Sequence, residues 1–348
     1  MPKSQPLVSV IVVTLNNLHL LKKCLNSLQQ QDYGNFEIIV VDNGSDQKIE
    51  ASISKEYPTV TLIRLEENQG FAAGNNRGFE RARGEYLSLI NNDATAHPGW
   101  ISSMVETAES DPLIGAIASI VIDSNYPDVL DSCGVGIAYD GMSRQVMRGK
   151  PVPVLDSPQE VLLFSGCACL IRKSALAETG PFDEEFFAYC EDTDLGLRLR
   201  RAGWRIVVAP GAYVDHAYSM TGGKFSLQKI FWVERNHFWV VIKNFPWFMM
   251  PFVPFFTLWR YLLQAYSVLM GISDLKEVAS NIDIFKISVV YVRVYIDIFR
   301  KLGLMIPKRY SLKLKNRIGQ RHLFHLLRKY NMPTSEILGL DLSKKHRD

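Results

Sequence analysis

Short apolar runs alternate with segments of helical periodicity along the first two-thirds of the chain. Val8–Thr14 and Phe36–Val41 are rich in β-branched residues, and they predict buried strands. Between these runs, leucines recur at helical spacing over residues 18–28, which predicts a helix with one face on the sheet. Strands that alternate with helices in this way indicate parallel βαβ units with right-handed crossovers. The pattern therefore predicts an α/β fold with a Rossmann-like, mostly parallel sheet flanked by helices.

The segment Glu85–Asp93 is an apolar strand that ends on one acidic side chain. Asn91 and Asn92 cannot easily continue the strand, so Asp93 is expected at its C-terminal end. Open α/β sheets bind their ligands at that end of a central parallel strand. One or two carboxylates together with substrate phosphates can hold a hard cation such as Mg²⁺. Taken alone, the Asn-Asn-Asp sequence is equally compatible with an ordinary polar turn.

A glycine-rich segment at residues 67–78 precedes that strand. Gly70 and Gly74 let the backbone approach a ligand closely, and the N-terminus of the following helix favours an anion. The segment has neither the GxGxxG spacing of dinucleotide-binding turns nor the spacing of a P-loop. Arg77 is a candidate partner for a phosphate, although a surface arginine on a helix is the commoner case.

A second acidic cluster follows the aromatic residues at positions 186–189. Glu191, Asp192 and Asp194 begin a predicted helix, where the helix dipole favours negative charge. We expect Asp194 to do only this. Two adjacent acids, Glu191 and Asp192, exceed what a helix start requires, so we interpret them as a candidate general base and its neighbour. Residues 123–160 are irregular apart from short strands expected near Val135–Tyr139, and such stretches are typical of substrate-binding loops.

These motifs together resemble one family, the family 2 glycosyltransferases with the GT-A fold. The order and spacing match at Val10–Asn16, Val40–Ser45, Asn91–Asp93 and Glu191-Asp192, and Asn68–Asn76 is typical of the bacterial rhamnosyltransferase-like branch. Each motif alone is weak, but the set is highly specific. The resemblance implies a GT-A catalytic domain over residues 1–225 and a helical C-terminal region over residues 226–348.

Family roles transfer to the matching positions. Asp42 resembles the residue that hydrogen-bonds the nucleotide base, and Thr14 and Asn16 would line the same pocket. Further residues expected to bind the nucleotide sugar are Asn68, Gly70, Asn75, Arg77 and Asn92.

The resemblance also implies a divalent metal site for Mg²⁺ or Mn²⁺. Asp93 resembles the last acid of the D-x-D motif, whose first acid is replaced here by Asn91, so fewer protein ligands are expected. His216 resembles a histidine that closes over the metal and diphosphate in some members, although a lone histidine after a strand is as often structural. Asp192 resembles the catalytic base, next to Glu191.

The C-terminal third is apolar, aromatic and then basic. Residues 244–259 are uncharged and contain three prolines, too short a run for a spanning helix. Between Asp297 and Glu336 there are ten Lys or Arg and no acid. We expect this region to contact an anionic membrane surface, although packing against the catalytic domain is the plainer alternative. No nucleic-acid-binding motif accompanies the charge, so nucleic acid is not an expected partner.

The sequence thus predicts an inverting, metal-dependent glycosyltransferase of the cell envelope. It would move one sugar from a dTDP- or UDP-sugar, with dTDP-rhamnose favoured, to a lipid-linked or polysaccharide acceptor. Phe231 replaces the arginine of the Q-x-x-R-W motif of processive members, which favours transfer of a single sugar. The five cysteines form no pair of CxxC motifs, so free thiols in a reducing cytosol are expected. Together with the aromatic and basic C-terminal region, this favours a peripheral position at the cytoplasmic face of the inner (plasma) membrane. The alternatives are a membrane-associated carbohydrate-binding scaffold with a decayed site and a sugar-phosphate nucleotidyltransferase.

Overall fold

The computed structural model describes residues 5–217, 226–270, 284–313 and 316–338. The chain divides into two compact units. Unit 1 comprises Met1–Val135, Gln145–Gly222 and Lys315–Arg317, and unit 2 comprises Gly136–Arg144, Gly223–Leu314 and Ile318–Asp348. Unit 2 therefore includes a short segment from within the region predicted to be one catalytic domain.

A mixed, mostly parallel sheet forms the centre of unit 1, in the order β10-β12-β6-β11-β4-β1-β2-β3. Strands β1 to β4 are parallel, with β1 between β2 and β4. Strand β11 runs antiparallel between β4 and β6, while β12 is parallel to β6. The strands are β1 Val8–Thr14, β2 Phe36–Asp42, β3 Thr61–Arg64, β4 Tyr86–Ile90, β5 Ala94–Ala96, β6 Ile114–Asp123, β7 Tyr126–Cys133, β10 Gln159–Glu160, β11 Ala168–Arg172 and β12 Arg205–His216. A separate two-stranded sheet pairs β8 (Val135–Ile137) with β9 (Ser143–Gln145).

Helices cover the sheet of unit 1 because their apolar faces match its buried side chains. They are α1 Leu18–Leu28, α2 Glu50–Glu56, α3 Gly70–Arg81, α4 Trp100–Ser110, α5 Lys173–Thr179 and α6 Glu191–Arg201. Strand β4 is buried at every position, as its continuous apolar run predicts. Two apolar clusters lie within unit 1, and between them they bury the side chains of its central strands.

Three local features differ from what the residue pattern alone suggests. Residues 123–160 contain ordered strands, of which β7 pairs antiparallel with β6. The last strand is longer than the apolar run at residues 204–208 suggests, because β12 continues past an irregularity and ends at His216. The arginines of α6 do not form an exposed basic face: Arg198, Arg200 and Arg201 are all buried.

The described part of unit 2 is helical apart from its share of the short β8–β9 hairpin. Its helices are α7 Leu227–Asn244, α8 Val253–Leu269, α9 Ile284–Lys313, α10 Gln320–Lys329 and α11 Thr334–Ile337, with a 3₁₀ turn at Trp247–Phe252. Val290, Val294 and Ile298 of α9 pack against apolar side chains of α7. Within the ranges that the structure covers, no helix combines the length and hydropathy needed to cross a bilayer.

Candidate active site

The ends of three neighbouring strands bring polar side chains together at one edge of the sheet. Thr14 and Asp42 are register partners at the ends of β1 and β2. Asn92, just beyond β4, donates from Nδ2 to the hydroxyl of Thr14 at 2.9 Å. All three side chains are buried. The sheet therefore assembles the predicted pocket from segments that are far apart in sequence, at the edge where α/β folds bind ligands.

Asp42 has a charged partner that sequence reasoning missed. Arg64 ends β3 directly beside it, and Nη1 lies 2.7 Å from Asp42 Oδ2. The backbone N–H of Ser45 donates to Asp42 Oδ1 at 3.0 Å, and Arg64 Nη2 donates to the carbonyl of Ser45 at 2.9 Å. The signal in the sequence was an arginine at the C-terminal end of an edge strand, next to a strand that ends on an acid.

The turn after β1 takes part in the same pocket. Asn16 has a φ of 58° and exchanges two hydrogen bonds with Asp46, at 3.0 and 2.7 Å. Its backbone N–H donates to the Ser45 hydroxyl. Asn17 makes no side-chain cap on α1 and donates instead to the carbonyl of Leu15. The polar turn thus closes one wall of the pocket rather than capping the helix.

Asn68 holds the glycine-rich segment in place. Its Oδ1 accepts from the backbone N–H of Gly70 at 2.9 Å and from Asn43 Nδ2 at 3.1 Å. Asn43 Oδ1 accepts from the N–H of Gln69. Gly70 has a φ of +87°, and a Cβ there would lie 2.4 Å from the carbonyl oxygen of Phe187. The start of α3 is therefore fixed against the aromatic segment before α6.

Two other residues of α3, Asn75 and Arg77, contact neighbouring groups of the protein. Asn75 Nδ2 donates to the carbonyl of Phe71, one turn earlier in the helix. Arg77 pairs with Glu80 at 2.7 Å and lies 3.8 Å from Glu184. These contacts place Arg77 among carboxylates at the protein surface.

Strand pairing brings Asp93 against His216. Strand β5 pairs antiparallel with β12 so that Ala94 is the register partner of His216. Asp93 Oδ1 lies 3.3 Å from His216 Nε2, and His216 Nδ1 lies 2.8 Å from Asp131 Oδ2. The thiol of Cys167 also hydrogen-bonds His216. Asp131 and Cys167 were not identified from the sequence, since neither lies in a recognisable motif.

The charge state of His216 follows from these neighbours. Burial alone would lower the pKa of the imidazole, but Cys167, Asp131 and Asp93 together raise that pKa well above its usual range. A protonated His216 therefore bridges two carboxylates when no cation is bound.

The residues present fit a cation that also takes ligands from a diphosphate. Asp93 and His216 present one oxygen and one nitrogen to each other at 3.3 Å, a separation that suits neighbouring ligands of one ion. Among the described residues, no group of three or more His, Cys, Asp or Glu is placed to hold a metal ion. A cation here would thus depend on oxygens supplied by the substrate.

Asp192 lies in the first turn of α6, directly after a segment with a strained backbone. Phe187, Tyr189 and Cys190 all have positive φ, between 63° and 70°. Such conformations are unfavourable for residues with a Cβ and cluster at functional sites. Asp192 Oδ2 accepts from the backbone N–H of Gly166 at 2.9 Å, and Oδ1 accepts from the N–H of Thr193.

The two adjacent acids, Glu191 and Asp192, differ in the hydrogen bonds that their carboxyl groups accept. Glu191 is 5% exposed and its Oε2 has no hydrogen-bond partner. Burial, followed by the charge of Asp192, raises the pKa of Glu191 well above its usual range. Burial also raises the pKa of Asp192, but the N–H groups of Gly166 and Thr193 counteract it by stabilising the carboxylate. Asp192 is therefore the better candidate for an ionised base, and Glu191 for a neutral acid.

One turn connects the two acidic centres. Its members are Gly166, which donates to Asp192, and Cys167, whose carbonyl accepts from the N–H of Asn91 at 2.8 Å. The Cys167 thiol reaches His216, the neighbour of Asp93. Asp93 and Asp192, 99 positions apart in the chain, thus both lie near one short turn within unit 1. Asp194, by contrast, pairs with buried Arg198 at 2.9 Å and belongs to the packing of α6.

This chain is similar in sequence to known glycosyltransferases. The profile of glycosyl transferase family 2 matches residues 9–180. An N-acetylglucosaminyl-diphospho-decaprenol L-rhamnosyltransferase of Mycobacterium tuberculosis is 28% identical over 62% of this chain and 77% of its own length.

Two solved structures show the same fold. GalNAc-T7 with UDP, GalNAc and Mn²⁺ has a TM-score of 0.58 at 16% identity, over 69% of this chain and 48% of that one. S. aureus TarS in complex with UDP has a TM-score of 0.54 at 18% identity, over 92% of this chain and 91% of that one. These likenesses confirm the predicted α/β fold of the GT-A type. The chain belongs to the family 2 glycosyltransferases and is a glycosyltransferase.

Proposed function

We propose that this enzyme is an inverting, divalent-cation-dependent transferase that moves one sugar from a nucleotide sugar to a lipid-linked or polysaccharide acceptor. The observation that carries the proposal is the position of Asp93 and Asp192 near the same Gly166-Cys167 turn. This arrangement allows a diphosphate beside Asp93 and an acceptor hydroxyl beside Asp192 to meet at one sugar ring.

Asp192 is the proposed base. Its carboxylate takes the proton from the acceptor hydroxyl, whose oxygen forms a bond to the anomeric carbon as the bond to the nucleoside diphosphate breaks. Attack from the side opposite the leaving group inverts the configuration at that carbon. The hydrogen bonds from Gly166 and Thr193 hold the carboxylate in one orientation, so little ordering remains at the moment of reaction.

Asp93 and His216 are the residues that would hold a Mg²⁺ or Mn²⁺ ion. When bound, such a cation stabilises negative charge on the departing diphosphate. The presence of Mn²⁺ in the GalNAc-T7 structure supports this part of the proposal.

The donor and acceptor are proposed from the rhamnosyltransferase relative. The name of that enzyme describes transfer of L-rhamnose to N-acetylglucosaminyl-diphospho-decaprenol, which supports dTDP-rhamnose as donor and a lipid-linked cell-envelope acceptor here. Thr14, Asp42 and Asn92 would bind the base and ribose, and Asn68 and Gly70 would form the wall near the sugar. An acceptor of this class would be used at the cytoplasmic face of the inner membrane.

Donor turnover in three proteins tests the proposal. With Mn²⁺ present, wild type should release nucleoside diphosphate from its donor, and Asp93→Ala and Asp192→Ala should lose roughly 10²-fold to 10⁴-fold in rate. Asp32→Ala, a change at an exposed carboxylate outside the site, is the control and should match wild type. No turnover in any protein with any nucleotide sugar would instead favour a carbohydrate-binding scaffold.

A further inference from the structure

In helix α8 of unit 2, polar side chains face inward and large apolar side chains face outward. Its buried positions include Thr257, Arg260 and Ser267, which are polar or charged. Its exposed positions carry large apolar side chains: Phe255, Leu258, Trp259, Leu262 and Leu269. A water-exposed helix normally has the opposite distribution.

Charged hydrogen bonds hold the inner face of α8 in place. Arg260 makes two hydrogen bonds to Glu234 of α7, at 2.8 and 2.9 Å, and a third to Asp140 at 2.6 Å. Tyr261 also donates to Glu234. These contacts fix the rotation of α8 about its axis, so the apolar side chains are held outward.

Helix α9 carries a second exposed apolar stripe. Phe285, Val289, Val292, Ile296 and Phe299 recur at intervals of three and four residues, and all are exposed. The opposite stripe, with Val290, Val294 and Ile298, is buried against α7. The outward stripe continues through Ile306 to Tyr310, a length of about 38 Å at 1.5 Å per residue.

A row of basic residues follows the α9 stripe along one side. Lys286, Arg293 and Arg300 are seven residues apart and exposed, each next to a member of the stripe. The only acid between residues 284 and 313 is Asp297, which pairs with Arg235 on the α7 side. Charges at every second turn are incompatible with a helix that crosses the hydrocarbon core of a bilayer. They suit a helix that lies flat at the level of the lipid headgroups.

We propose that the outward faces of α8 and α9 form a membrane-docking surface for a bilayer that contains anionic lipids. The apolar side chains insert among the upper acyl chains, and the Lys/Arg row contacts the headgroups. The two helices meet at Tyr261 and Tyr291, whose rings are 5.3 Å apart, so both can engage one lipid surface. This inference deepens the proposed function, because a lipid-linked acceptor is reached only from the bilayer surface.

Vesicle cosedimentation of the full chain tests the docking surface without reference to catalysis. Vesicles of phosphatidylcholine with phosphatidylglycerol should bind the protein, and vesicles of phosphatidylcholine alone should bind it more weakly. The double variant Lys286→Gln/Arg300→Gln should lose about fivefold in partitioning per charge removed. Lys55→Gln/Arg81→Gln changes the same charge at exposed positions of unit 1 and should bind like wild type.

The apolar contribution has a matched control. Leu258→Gln should weaken binding to both kinds of vesicle by roughly tenfold. Leu113→Gln makes the same change in unit 1 at nearly equal exposure, 55% against 56%, and should have no effect.

A variant that binds vesicles more tightly than wild type provides a test, because misfolding would not produce that result. Gly303 lies in the α9 stripe between Phe299 and Ile306, and an added Cβ would meet nothing within 4 Å. Gly303→Leu should therefore strengthen vesicle binding several-fold, whereas Gly303→Gln should not.

Three outcomes would overturn the docking surface. The first is that a protein that hydrolyses its donor does not bind vesicles. The second is that the charge variants and their controls bind vesicles equally. The third is that the protein does not bind vesicles and forms a dimer in solution, which Leu258→Gln dissociates. A protein that binds vesicles as described but turns over no donor would refute the proposed function and leave the docking surface intact.

Discussion

Two adjacent carboxyl groups in α6 have different environments, and this difference assigns their roles. Glu191 has a buried oxygen with no partner, and a charge there would be strongly disfavoured. Asp192 has two backbone N–H groups directed at its oxygens. The residue with hydrogen bonds to its ionised form is the one suited to accept a proton.

Amide substitutions should separate the two residues. Glu191→Gln replaces one neutral group by another and should retain activity within roughly tenfold of wild type, because no charge is lost. Asp192→Asn removes the base and should lower kcat by roughly 10²-fold to 10⁴-fold. Steady-state kinetics at saturating donor measure both. Equal losses in the two variants would show that Glu191 ionises and shares the proton transfer.

The pH dependence of the reaction should report the raised pKa of Asp192. Because burial raises that pKa, the carboxylate is protonated at a higher pH than an exposed aspartate, and kcat/KM should fall as the pH drops through the raised value. The acid limb of the profile should therefore lie above the usual range for aspartate. An acid limb at the value of an exposed carboxyl would contradict the assignment.

Stability should respond to pH in the opposite sense. A folded-state pKa above the unfolded value means that the folded state binds the proton more tightly, so the stability contribution is present at low pH and is lost as pH rises through the folded pKa. Glu191→Gln should thus melt no lower than wild type at neutral pH, which calorimetry can check.

At the scale of elements, the contact between the start of α3 and the segment before α6 supports the active site. Gly70 meets the carbonyl and ring of Phe187, and the N–H of Ala72 donates to the same carbonyl at 3.1 Å. Phe187 begins the strained segment that leads to Asp192. The nucleotide-sugar wall and the base are therefore mechanically connected within unit 1.

Gly70→Ala tests this connection. The added methyl group would lie 2.4 Å from the Phe187 carbonyl, so the free energy of unfolding should fall by roughly 1–3 kcal/mol and kcat should fall as the Asp192 segment shifts. Denaturant unfolding and donor turnover measure the two effects.

Gly149→Ala is a control that separates the cost of backbone strain from the cost of a steric clash. Gly149 also has a positive φ, +76°, but a Cβ there would meet nothing within 4 Å. This control should lose only about 1 kcal/mol, the cost of the left-handed conformation, and keep full activity. If both variants behave alike, the contact with Phe187 has no role in the site.

The strand and helix pattern of unit 1 was predictable because each element carries its own local signal. Buried strands such as Tyr86–Ile90 are continuous apolar runs, and α1 shows leucines at helical spacing. The polar residues at the strand ends were predictable for the same reason, since α/β sheets bind ligands there.

Contacts that depend on strand pairing could not be predicted from sequence. Asp131 reaches His216 only because β7 folds back antiparallel on β6, and Arg64 reaches Asp42 only through the register of β2 and β3. The burial of the α6 arginines could not be predicted either, because many of their partners are backbone carbonyls. Arg198, for example, donates to the carbonyls of Thr179, Gly180 and Pro181, which no sequence motif marks.

At the scale of the whole molecule, ligand binding and folding are linked. A ligand that binds only the folded protein raises its melting point, and saturation at roughly a hundred times Kd adds about 2.7 kcal/mol to the free energy of unfolding. The shift identifies the donor without knowledge of the acceptor. dTDP-rhamnose, UDP-N-acetylglucosamine and GDP-mannose differ in base and sugar, so a panel of these three distinguishes the two parts of the site.

We expect dTDP-rhamnose with Mn²⁺ to give the largest melting shift of the panel. Asp42→Asn should reduce the shift whether or not Mn²⁺ is present, because Asp42 lies among the proposed base-binding residues and is not a proposed cation ligand. Asp93→Asn should reduce only the increment that Mn²⁺ adds, because Asp93 and His216 face each other at the proposed cation position. A Mn²⁺ increment that survives Asp93→Asn would place the cation elsewhere, and a larger shift with UDP- or GDP-sugars would reassign the donor. The two variants thus test separately whether the strand ends bind the nucleotide and whether the β5–β12 pairing builds the cation site.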